Sequence, residues 1–221
     1  MDSHHLRSAR RLVLAATCLA LIAISACTSK SESGTRPPAT TSDDTGSRID
    51  VMCIGERINN PSEPFHYSYR YSDASGSTTK EAEITPQAMK ITISDQSGSH
   101  SYHGMRSDDV SWNKAVLDLS GLNLTAMSSR LDSLSDSTAV SRQAAEATNG
   151  YDATRYAIDT TKASGSDQQK FAALFGKGAS EKGAVWMSAD GCAAKLVLDE
   201  RILGSDGTPK DDHYELARIK K

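Results

Sequence analysis

The chain has 221 residues, a formal net charge of -3, 38% hydrophobic and 24% charged residues, and four cysteines. Those values suit one folded domain and exclude collagen-like, low-complexity and multi-span membrane chains. The acidic balance, with no concentrated Lys/Arg run, argues against a nucleic-acid partner, whose phosphates need such a surface to neutralise them.

Residues 1–26 carry Arg7, Arg10 and Arg11 ahead of an uncharged run from Leu12 to Ala26, the order of a secretory signal peptide. The run is shorter than the roughly 20 apolar residues a membrane-spanning helix needs. It ends in Ile24-Ser25-Ala26-Cys27, which resembles the lipobox of bacterial lipoproteins. In a lipobox, small residues fit a peptidase cleft beside the membrane and the thiol accepts a diacylglyceryl group. The resemblance implies that Cys27 becomes a lipidated N-terminus and anchors the protein to the bacterial membrane on its extracytoplasmic side. Each buried methylene contributes about 0.8 kcal/mol, so two or three acyl chains hold a protein without a spanning helix. Loss of residues 1–26 removes three arginines and one aspartate, which moves the formal charge from -3 to -5.

Residues 27–48 follow as the lipidated residue and a tether. From Thr28 to Arg48 no side chain is aromatic and no aliphatic is larger than alanine. Such a stretch buries too little apolar surface to offset the entropy of ordering it. Residues 49–221 then form a single domain. Ser47 and Asp50 make a capping-box-like start to a short helix ended by Asn59-Asn60-Pro61. Phe65 to Tyr71 alternates aromatic with polar residues, the period of a strand with one buried face. Residues 81–85, 89–95 and 99–106 continue an antiparallel meander.

Ser107-Asp108-Asp109 caps a helix carrying Trp112, Val116 and Leu119, and a second short helix after Gly121 carries Leu124, Met127, Leu131 and Leu134. Strands 139–147 and 151–159 flank Asn149-Gly150, a hairpin turn. Ser166 and Gln169 cap a further helix whose buried stripe is Phe171, Leu174 and Phe175. Strands 183–189 and 192–198 meet at Asp190-Gly191. A two-residue turn there pairs Ala189 with Cys192, Met187 with Ala194 and Val185 with Leu196, and sets Trp186 opposite Lys195. Residues 213–219 close the sheet. The order predicts an α+β fold: a curved antiparallel sheet, an incomplete barrel, with short helices packed on its concave side.

This order of elements, with the Cys27 lipobox, the helix before the Phe65–Tyr71 strand, the Asn149-Gly150-Tyr151 hairpin and the Trp186 hairpin, resembles the LolA/LolB-like lipoprotein-carrier superfamily. The family is held together by architecture, so it assigns no binding residue by position. It implies an envelope protein that binds acyl chains or a lipidated ligand, or senses one. The helical stripe Trp112, Val116, Leu119, Met127 and Leu131 would then border the cavity, and the same spacing equally serves an ordinary core. A structural or protein-interaction lipoprotein with no lipid cargo is the alternative.

With Cys18 in the signal and Cys27 lipidated, Cys53 and Cys192 remain as one pair in an oxidising compartment, which predicts a disulfide between the first helix and the late hairpin. His100 and His103 have a ligand-like spacing, but residues three apart on a strand face opposite sides, so no metal site is expected. No Gly-x-Ser-x-Gly, Ser-x-x-Lys, phosphate-cradling Gly loop or His-Glu-x-x-His occurs. The reading is of a non-enzyme without a cofactor.

Overall fold

The computed structural model describes residues 49–204 and 206–221, with backbone alone for 121–123. The expected signal peptide, Cys27, the expected tether and the expected cap at Ser47 lie outside those residues. The elements run α1 (Cys53–Asn59), β1 (Phe65–Asp73), β2 (Gly76–Ile84), β3 (Ala88–Asp95), β4 (Gly98–Met105), α2 (Asp109–Leu134), β5 (Val140–Thr148) and β6 (Tyr151–Asp159). A 3-10 turn (Thr160–Lys162), α3 (Gly165–Phe175), β7 (Ser180–Ser188), β8 (Ala193–Leu203) and β9 (Pro209–Lys220) complete it. The nine strands form one curved antiparallel sheet in the order β4-β3-β2-β1-β9-β8-β7-β6-β5, open at β4 and β5. The α+β architecture is therefore as expected.

The alternation along Phe65–Tyr71 decides which face meets the helices. Phe65, Tyr67 and Tyr69 are buried, and Tyr67 donates its hydroxyl to the Leu119 carbonyl of α2 at 3.2 Å. Tyr69 pairs with Leu216, Leu216 with Leu196, Leu196 with Val185 and Val185 with Tyr156. One buried row thus crosses five strands, each residue contributing about 1.5–3 kcal/mol of burial. The opposite face carries His66, Ser68 and Arg70 of β1 among polar partners.

Several local expectations change. A single 26-residue α2 replaces two short helices. Asp108 caps it, accepting from Val110 N at 3.1 Å and Ser111 N at 3.4 Å. Buried side chains continue on both sides of Gly121, at Trp112, Ala115 and Leu119 and then at Leu124, Met127, Leu131 and Leu134. Their packing outweighs the roughly 1 kcal/mol intrinsic cost of an internal glycine. The first helix begins only at Cys53, because the Asp50 carboxylate turns back to accept from Met52 N at 2.8 Å. Helix α3 starts from Ser164 at its N-cap position, without a side-chain capping bond, rather than from Ser166, and Leu174 is exposed rather than part of a buried stripe.

The β7–β8 hairpin keeps the Val185–Leu196 and Trp186–Lys195 pairs but bulges beyond them, so that Met187 pairs with Ala193 and not Ala194. The bulge releases the Ala194 carbonyl to accept from Asn149 Nδ2 at 2.9 Å. Ala189 and Cys192 are not a strand pair; they belong to a four-residue connection closed by Gly191 N donating to the Ser188 carbonyl at 2.9 Å. Elsewhere the expected turn forms: Asn149 and Gly150 take φ values of 55° and 81°, the backbone of a primed hairpin turn.

Candidate functional site

Cys53 and Cys192 are joined in a disulfide with Cα atoms 5.6 Å apart, tying α1 to the β7–β8 connection across 139 residues of sequence. Among the stripe residues, Trp112, Leu119, Met127 and Leu131 are at most 2% exposed and belong to the main core cluster. Trp112 is fixed further by its indole Nε1, which donates to Asn59 Oδ1 at 3.2 Å, and by the Arg106 guanidinium 4.8 Å from its ring centroid. Val116 differs. It is half-buried and lines a groove of about 300 Å³ between α1 and α2 with Met52, Gly55, Ser120 and Leu124. The structure therefore divides the stripe into four core residues and one groove residue.

The N-terminal half of α2 lies close on the sheet because Gly104 of β4 has no side chain: a Cβ there would stand 2.6 Å from Ala115 Cβ. Lys80 Nζ donates to the Asp118 carbonyl at 2.5 Å in the same region. Burial lowers the Lys80 pKa against the opposing pull of Asp118. The C-terminal half of α2 is tied differently. Arg130 Nη1 donates to Glu200 Oε1 of β8, and its Nε stands 3.4 Å from Glu181 Oε1 of β7. Its guanidinium also lies 5.8 Å from the Tyr214 ring centroid.

Glu181 and Glu200 are cross-strand partners, 1% and 3% exposed. Neither Glu181 oxygen accepts a hydrogen bond among the described residues. Burial, with the neighbouring Glu200 charge adding to it and Arg130 opposing, pushes the Glu181 carboxyl up to about 7. Sequence reasoning missed these three residues. A glutamate inside a strand pattern reads as outward-facing, and Arg130 lies 70 residues from Glu200.

The outer face is ionic. His66 reaches Glu81 at 2.5 Å and Glu83 at 3.1 Å. His213 has Nδ1 2.7 Å from Asp199 Oδ1 and Nε2 3.5 Å from Glu215 Oε1, beside a cleft of about 390 Å³ that also includes Ser72. Ser72 and Asp199 are the strand partners of His213. Both imidazole nitrogens face carboxylates, whereas a base for a serine nucleophile must direct one nitrogen at the hydroxyl. Among the described residues no group of three or more His, Cys, Asp and Glu side chains could hold a metal ion, and no helix is long and apolar enough to cross a membrane.

No protein-family model matches the chain, and no curated protein matches it significantly.

Proposed function

We propose that this protein is a lipid-anchored component of the bacterial envelope that binds or senses a lipid or lipidated ligand on the inner face of its sheet, without catalysis. The observation that carries this reading is the cover over that face. Helix α2 shares one core with the apolar row that spans five strands, and in addition to that packing its two halves are held differently, by close approach at Gly104 and by buried ion pairing at Arg130. A sheet with an apolar inner face under a separately attached helix offers an acyl chain a place to be shielded from water. The Cys27 lipobox and the likeness to the LolA/LolB-like carriers in element order support the same reading. An anchored domain would meet its ligand at high local concentration.

The burial of Trp112, Leu119, Met127 and Leu131 favours a second reading, a protein-interaction lipoprotein whose inner face serves only as core. Extraction and mass spectrometry of the purified protein, with titration of a fluorescent acyl probe, separate the two. The expected results are bound acyl lipid and saturable uptake. Absence of both, together with in vivo crosslinking to a defined envelope protein, would establish the second reading instead. Fatty-acid labelling of the full chain, lost in C27A, tests the anchor.

A further inference from the structure

We propose that Arg130, Glu181 and Glu200 form a proton-controlled latch, which holds the C-terminal half of α2 on the sheet when Glu181 is protonated and releases it when Glu181 ionises. The argument begins with charge balance. Two carboxylates meet one guanidinium, with side-chain exposures of 0% for Glu181, 2% for Glu200 and 16% for Arg130. With Glu181 neutral, Arg130 and Glu200 compensate each other. With Glu181 ionised, the set carries one uncompensated negative charge in a site shielded from water, which is costly.

The surroundings do not supply the missing cation. From α2 the facing charge is Arg130, and from β8 it is Glu200. From β9 come Tyr214 and Asp212, the latter the cross-strand partner of Glu200. Behind Asp212, Tyr71 of β1 donates its hydroxyl at 3.2 Å. From the 3-10 turn the contact is neutral, Thr160 Oγ1 accepting from Glu181 N at 2.8 Å. Among the described residues Glu181 therefore faces one cation, Arg130, which it shares with a second carboxylate, Glu200.

The carboxyl pushed up to about 7 agrees with this geometry. A carboxylic acid whose pKa is raised in the closed state favours that state fully below its ordinary value of 4.5, and the preference is lost progressively as the pH rises toward about 7. Release is confined to one half of the helix. The N-terminal half keeps its own attachments, Gly104 against Ala115, Tyr67 to the Leu119 carbonyl, and Trp112 to Asn59. The latch stands apart from the lipid reading, since it needs no ligand.

Hydrogen–deuterium exchange of the full chain at pH 5 and pH 8, normalised for intrinsic exchange rates, tests it. Protection over residues 124–134 is expected to fall by about tenfold for each unit by which closure raises the Glu181 pKa, while residues 109–119 keep theirs. E181Q, neutral at every pH, is expected to hold its protection at pH 8. E200Q leaves Arg130 to Glu181 alone and is also expected to hold, which keeps the test open if E181Q does not fold. Equal protection of residues 124–134 at both pH values in the wild type, or the wild-type loss persisting in either folded variant, would overturn the latch.

Discussion

Arg218 of β9 holds Asp190 with both terminal nitrogens, at 2.8 and 3.0 Å, although Arg218 is only 3% exposed. The same guanidinium donates to Ser188 Oγ at 2.7 Å and lies 4.3 Å from the Tyr151 ring centroid. Asp190 in turn accepts from Cys192 N at 3.1 Å. The pair therefore orients the connection from which Cys192 reaches Cys53.

Replacing Asp190 leaves a buried guanidinium without its counter-charge. D190N is expected to destabilise the fold by roughly 1–3 kcal/mol, measured by urea unfolding at pH 7. Burial works against the Asp190 charge, but hydrogen bonds from Arg218 and Ser188 hold its carboxyl well below the usual range. A lowered acid pKa contributes stability above the unfolded value, about 3.9, and loses it as the pH falls toward the folded value. The gap between wild type and D190N should therefore be full at neutral pH and narrow below about pH 4. A gap that does not change from pH 7 to pH 2.5 would contradict the assignment.

The disulfide closes a long loop, and the chain-entropy model puts its contribution at about 4–5 kcal/mol as an upper figure. Reduction, or the C53A/C192A double variant, should lower unfolding stability by roughly 2–5 kcal/mol. Alkylation with and without reductant checks the bond itself: the unreduced native protein should offer neither thiol.

Gly104 permits the close approach of α2 to β4. G104A places a methyl group 2.6 Å from Ala115 Cβ, so the helix must shift, at a cost of roughly 1–3 kcal/mol. Thermal unfolding should show a lower midpoint. Pairing G104A with A115G should recover part of the loss, because the clash is with that methyl carbon.

Trp186 is half-buried on the outer face, with Arg155 and Lys195 cations 5.3 and 4.9 Å from its ring centroid and its indole N–H donated to Glu146. K195A should cost about 0.5–1 kcal/mol, the range for an exposed cation-π contact. A double-mutant cycle with W186L isolates the coupling, and a coupling of zero would assign Lys195 no part in holding the ring.

Where neighbours in sequence are neighbours in space, the residues were legible as a sequence. The alternation of Phe65–Tyr71, the Asn149-Gly150 turn, the Asp108 cap and the Val185–Leu196 register all depend on contacts within a few residues or across one turn. Gly121 misled because intrinsic propensity opposes helix there by only about 1 kcal/mol, less than the packing of Leu119 and Leu124 on either side supplies. The Met187–Ala193 pairing was hidden for a related reason. The bulge satisfies a side chain, Asn149, that comes from another hairpin.

Local pattern by itself determined an α+β domain, because the period of apolar residues is a property of the chain alone, whereas the choice of Cys53 and Cys192 among four cysteines rested on the expected signal peptide and lipobox. Only the tertiary structure decided which stripe residues are core and which line the α1–α2 groove. It also brought Arg130 between Glu181 and Glu200, and Arg218 onto Asp190. Those ion pairs join strands and helices far apart in sequence, and their energies come from burial and from a third neighbour's charge, neither of which a linear pattern encodes.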